Sequence, residues 1–238
     1  MQAGLSYSLF GTPAANLRLN FGEASYVKFG VQRSIPPGGA RVELAHNGMG
    51  LRFSVPGAKA LYIGEAGYKR SSAPGVRSLW LRAGGLYNTT DYRDYVTGGT
   101  HDNWAIYAAA DAQLTQPDAK MPFRGLYLGA SYNKATDRVN LYTDYYEARA
   151  YGIGLIPSRP FDLASLVVTY NGLGTPAVSA LAQGRPSDDH IVTIIGSYSL
   201  RLTNGLYVQP GVGYTINPVF TPRQPDAINL YFGLTMLL

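Results

Sequence analysis

Few residue groupings in this 238-residue chain could carry out chemistry. Ser187, Asp188, Asp189 and His190 stand in a row. Neighbours in one loop do not form a nucleophile–base–acid triad, which needs side chains converging from separate elements. His46, His101 and His190 are scattered, and no pair has the i, i+4 spacing of a helical zinc site. There is no cysteine, hence no thiolate nucleophile, disulfide or Cys-ligated metal. The pairs Gly152/Gly154 and Gly211/Gly213 echo a phosphate loop, but they alternate within strand-like segments and no helix follows. What remains is a dispersed set of charged and aromatic residues: Lys28, Glu65, Lys69, Trp80, Arg82, Asp111, Glu147, Arg149 and Arg201. Such groups suit weak, serial contact with a polar solute and not its transformation. No catalytic residue, metal or cofactor is expected. Glu147 and Arg149 share one face of a strand, and Glu65 and Lys69 share another, so these pairs serve equally well as salt bridges within a wall.

The elements that must position these residues are set by composition. Charged residues make up 15% of the chain, against roughly 25% in ordinary soluble domains. No uncharged apolar run reaches the length of about 18 residues that a transmembrane helix needs. A chain poor in charge and without long apolar runs hides its apolar residues by alternation. The formal net charge of +5 reads as ordinary solubility or as a pore wall biased toward anions. Nucleic-acid binding is disfavoured, because the Lys and Arg residues form neither a run nor a helical stripe.

Period-two alternation recurs in segments of about 10 residues between turn-forming stretches, the pattern of a transmembrane β-barrel. In 228–238 one parity is Ile228, Leu230, Phe232, Leu234, Met236 and Leu238; the other includes Asn229, Tyr231, Gly233 and Thr235. The segment 206–216 alternates in the same way, and Asn204-Gly205 before it is a strong hairpin signal. Further strands are expected at 190–202, 163–171, 145–156, 125–133, 103–114 and 77–87, with weaker candidates at 3–10, 25–34, 48–55 and 59–70. Water-exposed loops are expected at 88–102, 134–144, 172–189 and 217–227. The expectation is an all-β, antiparallel up-and-down barrel with about 10–12 strands present, forming one domain over 1–238.

A Lys or Arg facing lipid at mid-bilayer costs about 2–4 kcal/mol. The parity holding the charges, with Ser, Thr, Asn, Gln and Gly, must therefore face water, and the Leu, Val, Ile and Tyr parity must face outward. Alternation alone does not separate this from a soluble sandwich. Tyr87, Tyr132, Tyr170 and Tyr214 break the tie: they sit near strand ends on the apolar parity, where an aromatic girdle lies.

The stretch SYSLRLTNGLYVQPGVGYTINP from Ser197, followed by DAINLYFGLTMLL, resembles the C-terminal region of OprB-type carbohydrate-selective porins. FGVQRSIPPG, GLRFSVPG, LYIGEAGYK and YGIGLIPSRPFD are similar to that family as well. The resemblance implies a barrel of about 16 strands in the bacterial outer membrane, passing monosaccharides, glucose in particular, by diffusion. A sugar presents hydroxyls and apolar C–H faces. Charged and amide groups on the wall would replace its hydration water, and aromatic rings would stack on the C–H face.

The chain is a little over half the family's usual length and opens with no leader-like segment, so it is expected to begin in mid-protein. It ends in Leu238, where outer-membrane proteins usually end in an aromatic that belongs to the assembly signal. Expected partners are outer-membrane lipid, sugar solutes and the outer-membrane assembly machinery, with a homo-oligomer left open. The competing expectation is a non-conducting fragment that needs a partner to close.

Overall fold

The structure is a computed structural model that describes residues 12–236. Eleven antiparallel strands lie side by side in chain order in one sheet. They are β1 (Ala14–Phe21), β2 (Ser25–Arg33), β3 (Ala60–Arg70), β4 (Leu79–Arg93), β5 (Thr100–Gln113), β6 (Gly125–Ala135), β7 (Tyr142–Ile153), β8 (Leu163–Leu173), β9 (His190–Thr203), β10 (Leu206–Ile216) and β11 (Ala227–Met236). Two short helices interrupt the series: α1 (Gly39–Asn47) between β2 and β3, and α2 (Thr175–Ala182) between β8 and β9. Both lie at the same end of the sheet, within its two longest connections, and this is called the helix-bearing end. None of the helices described is long and apolar enough to cross a membrane.

The register puts alternate residues on opposite faces. On one face Ser165, Thr169, Thr193, Ser197 and Thr215 align with the charged residues of β2–β7. On the other face Leu128, Leu166, Val212, Leu230, Phe232 and Leu234 are exposed. The polar face is concave: Trp80, Tyr107, Arg149 and Tyr151 each bond to a residue two strands away, a span of about 10 Å in a flat sheet. The apolar face is thus the outer one. An up-and-down sheet satisfies backbone groups between strands, which makes it compatible with lipid on that face.

Aromatic residues band the outer face toward the helix-bearing end. Tyr62, Tyr87 and Trp104 are successive cross-strand partners, and so are Tyr132, Tyr146 and Tyr170. The Tyr132 and Tyr146 rings lie 5.0 Å apart, Tyr146 and Tyr170 6.0 Å, and His190 stacks on Tyr170 at 5.4 Å. The Tyr87 hydroxyl donates to Asp102, and that of Tyr214 to Asp226 at 2.5 Å. Greasy rings with water-facing hydroxyls mark a membrane boundary.

Several sequence expectations need correction. The segment 48–55 is not a strand. Its Met49, Leu51 and Phe53 alternate, but they stand exposed in an unpaired connection. The buried Arg33–Glu43 ion pair and the Arg52 amide, which donates to Asn47 Oδ1 at 2.7 Å, fold this segment against α1 instead. The strand β1 was not anticipated, and the candidate at 3–10, like Leu237 and Leu238, lies outside the described residues. Two loops are shorter than expected, because β4 runs on to Arg93 and β5 begins at Thr100, while β6 and β7 leave only 136–141 between them. β7 stops at Ile153, because the Gly154 amide turns to bond the Asp162 carbonyl at 2.8 Å.

Candidate solute-binding wall

The nine residues singled out by sequence fall into two clusters and one outlier. The first cluster centres on Glu65, in β3. Lys28 is its direct cross-strand partner and approaches to 3.1 Å. Two tyrosine hydroxyls also donate to the carboxylate: Tyr26 at 2.9 Å from β2 and Tyr107 at 2.6 Å from β5. Tyr107 has to pass over β4 to reach it, and the residue beneath is Gly84, where a Cβ would lie 2.7 Å from the phenol ring. Trp80 donates its indole N–H to the Tyr26 oxygen at 3.1 Å. The Arg82 guanidinium lies 4.0 Å from the indole centroid and the Lys69 ammonium 5.0 Å.

The second cluster centres on Arg149, in β7. Its Nε and Nη2 grip both oxygens of Asp111, in β5, at 2.9 and 2.5 Å. Nη1 donates to Ser131 at 2.9 Å and also to Glu147, which in turn accepts from Tyr145. The grip on Asp111 crosses β6 at Gly129, where a Cβ would stand 2.5 Å from both Arg149 Nε and Asp111 Oδ1. The pair is fork-on-fork, the geometry that gives Arg–carboxylate contacts their direction and strength.

Arg201 joins neither cluster. It sits on β9 near the end opposite the helices, with its guanidinium 4.2 Å from the Phe161 ring centroid. Its side chain bonds the Asn204 side chain, and its backbone N–H donates to Asp162 at 2.9 Å. In the turn before β8, burial pushes the Asp162 carboxyl up, but bonds from Arg159 (2.6 Å), the Arg201 amide and Tyr198 (2.8 Å) outweigh it. The group is held below the usual carboxylate range.

The profile of the carbohydrate-selective porins of the OprB family matches residues 2–237. The chain belongs to the OprB family. These are outer-membrane porins, and the eleven-stranded sheet with its apolar outer face agrees with that setting. Among solved structures, the high-pH structure of Pseudomonas putida OprB matches with a TM-score of 0.78 at 18% identity, which shows the fold. The match covers 94% of this chain and 58% of that one, so the chain spans somewhat over half the length of the porin it matches. No curated protein matches the chain.

For an OprB-family wall, sequence parity placed all of Lys28, Glu65, Lys69, Trp80, Arg82, Asp111, Glu147 and Arg149 on the polar face, where the structure has them. It paired them less well. Glu65 and Lys69 are four residues apart on one strand, about 13 Å at the usual rise. Glu65 therefore takes Lys28 and the two phenols, while Lys69 turns to Trp80. The Trp80 ring, expected to offer a stacking face to a sugar, carries two cations. Tyr26, Tyr107, Tyr145 and Arg18 were missed. The signal that could have found Tyr107 is a tyrosine on the polar parity whose register neighbour one strand over is a glycine.

Proposed function

We propose that this chain forms the conducting wall of an outer-membrane channel that passes monosaccharides such as glucose by diffusion. The observation that carries the reading is the concave face. Two hydrogen-bonded charge networks line it side by side, with Trp80 of one the cross-strand partner of Asp111 of the other. Beyond them β8–β10 present Ser165, Thr169, Thr193, Ser197, Gln209 and Thr215. A sugar moving along this wall exchanges hydration for fixed hydroxyls and carboxylates without meeting a deep well, which favours passage over capture. The family and fold point to transport and not to catalysis. The two longest connections would face the cell exterior, as barrel loops do.

A second reading has its own observation. Among the described residues β1 and β11 pair on one side only. With eleven strands these two point the same way, so joining them directly would need a parallel pairing. An odd number of further strands closes the wall in antiparallel fashion, and unpaired backbone in lipid is too costly to leave open. The chain would then conduct only in company with such strands.

Both readings meet one experiment: liposome swelling with glucose, run on the refolded chain alone and with added N-terminal strands of an OprB-family porin. Glucose entry by the chain alone supports the first reading. Entry only with the added strands supports the second. No entry in either preparation overturns the channel assignment.

A further inference from the structure

The two clusters differ in charge balance, and the difference points to a ligand. In the second, the single cation Arg149 is already held by two carboxylates, Asp111 and Glu147. In the first, four cations, Arg18, Lys28, Lys69 and Arg82, share the face with one carboxylate, Glu65. Glu65 is satisfied by Lys28 and two phenols. Lys69, Arg82 and Arg18 have no carboxylate within 4.0 Å among the described residues. Lys69 and Arg82 lie over the Trp80 ring, and Arg18 lies 4.4 Å from the Tyr26 centroid while its Nε donates to Asn20 at 2.8 Å. The Arg82 guanidinium donates to no acceptor among the described residues, and the geometry of its N–H donors fits two oxygens of a carboxylate. The cluster is on the concave face, where Arg82 is half-buried and Lys69 exposed. Three cations held by Tyr26 and Trp80, with no carboxylate partner among the described residues, suit an anionic solute group.

We propose that this basic patch on β1–β4 is a subsite for a monosaccharide bearing a carboxylate, with Arg82 and Lys69 receiving the acid group. The proposal rests on the channel reading for its physiological sense but not for its test. A neutral sugar leaves the cations unpaired, whereas a sugar acid pairs them while its hydroxyls meet the same wall. The attraction is electrostatic and reaches about 8–10 Å at physiological salt, so binding weakens as salt rises.

The chain has two tryptophans, Trp80 in the patch and Trp104 on the outer face. In a Trp104→Phe background Trp80 reports alone. Glucuronate titrated into the refolded protein is expected to change Trp80 emission saturably, and equimolar glucose far less. Arg82→Gln with Lys69→Gln is expected to weaken glucuronate roughly tenfold or more, as loss of charge-assisted bonds does. Asp226→Asn, which removes the partner of Tyr214 on the outer face and lies far from the patch, should leave glucuronate affinity within about twofold. Equal responses to glucuronate and glucose, or an unchanged titration in the double variant, would overturn the subsite. Failure of glucose to enter liposomes would count against the channel reading and leave the titration result standing.

Discussion

At the residue scale the wall depends on what is absent from two positions. A side chain on β5 or β7 reaches the strand beyond its neighbour only if the neighbour has no Cβ in the way. Gly84 lets Tyr107 through to Glu65, and Gly129 lets Arg149 through to Asp111. Both crossings pull the wall inward, and both tie strands that are not hydrogen-bonded to each other. Gly129→Ala should therefore displace a partly buried Arg–carboxylate pair. It is expected to destabilise the folded protein by about 1–3 kcal/mol, read as a lower urea midpoint in lipid vesicles. Gly196→Ala is the matched control. No atom lies within 4 Å of its added Cβ, so the midpoint should hold or rise slightly. An unchanged midpoint for Gly129→Ala would mean that the crossing contributes nothing.

At the element scale the loops are fastened by carboxylates more than by apolar packing. Asp94 is buried and ties the 94–99 connection to 136–141. It accepts from Arg138, from the Val96 amide at 2.8 Å and from the Thr97 hydroxyl at 2.8 Å, while the Tyr95 amide bonds the Arg138 carbonyl at 2.7 Å. The Arg138 guanidinium first, and these other donors after it, hold the Asp94 carboxyl well below the usual carboxylate range. A carboxyl lowered in the folded state stabilises above its unfolded value and loses that contribution as pH falls through its folded one. The Tyr95 and Gly98 amides should therefore stay protected from hydrogen exchange at pH about 4, the ordinary aspartate value, and open only in stronger acid. Asp94→Asn should open them at neutral pH. Loss of protection already at pH about 5 would contradict this account of the loop.

These elements show what was legible beforehand. Strands β2–β11 could be read because one face must be apolar and the other cannot be, and that constraint is written residue by residue. Loop ends could not be read, because Asn88, Thr90 and Asp94 look like loop residues in sequence and are buried by partners more than 30 residues away. The segment 48–55 misled for the converse reason. Met49, Leu51 and Phe53 alternate without any strand to pair with. Parity assigned the wall residues to a face, but register decided their partners, and register depends on turn lengths that single-sequence alternation does not carry.

At the scale of the whole molecule the strand order, the outer aromatic band and the inward charge networks agree on one orientation. Hydrocarbon lies against Leu128, Leu166 and Val212, and water against Ser131, Ser165 and Thr193. Eleven strands are described, and the match spans 58% of the solved porin. The orientation of the faces does not depend on how closure happens. The chain has no native cysteine, so single cysteines can be placed along β8 and β9 without background. Spin labels at 163–171 and 192–200, in protein refolded into lipid, can be relaxed by a membrane-dissolved quencher or by a water-soluble one. Labels at Leu166, Val168 and Ile194 should respond to the former, those at Ser165, Thr169 and Ser197 to the latter, alternating at every residue. Uniform response to the aqueous quencher, or the opposite parity, would contradict the account.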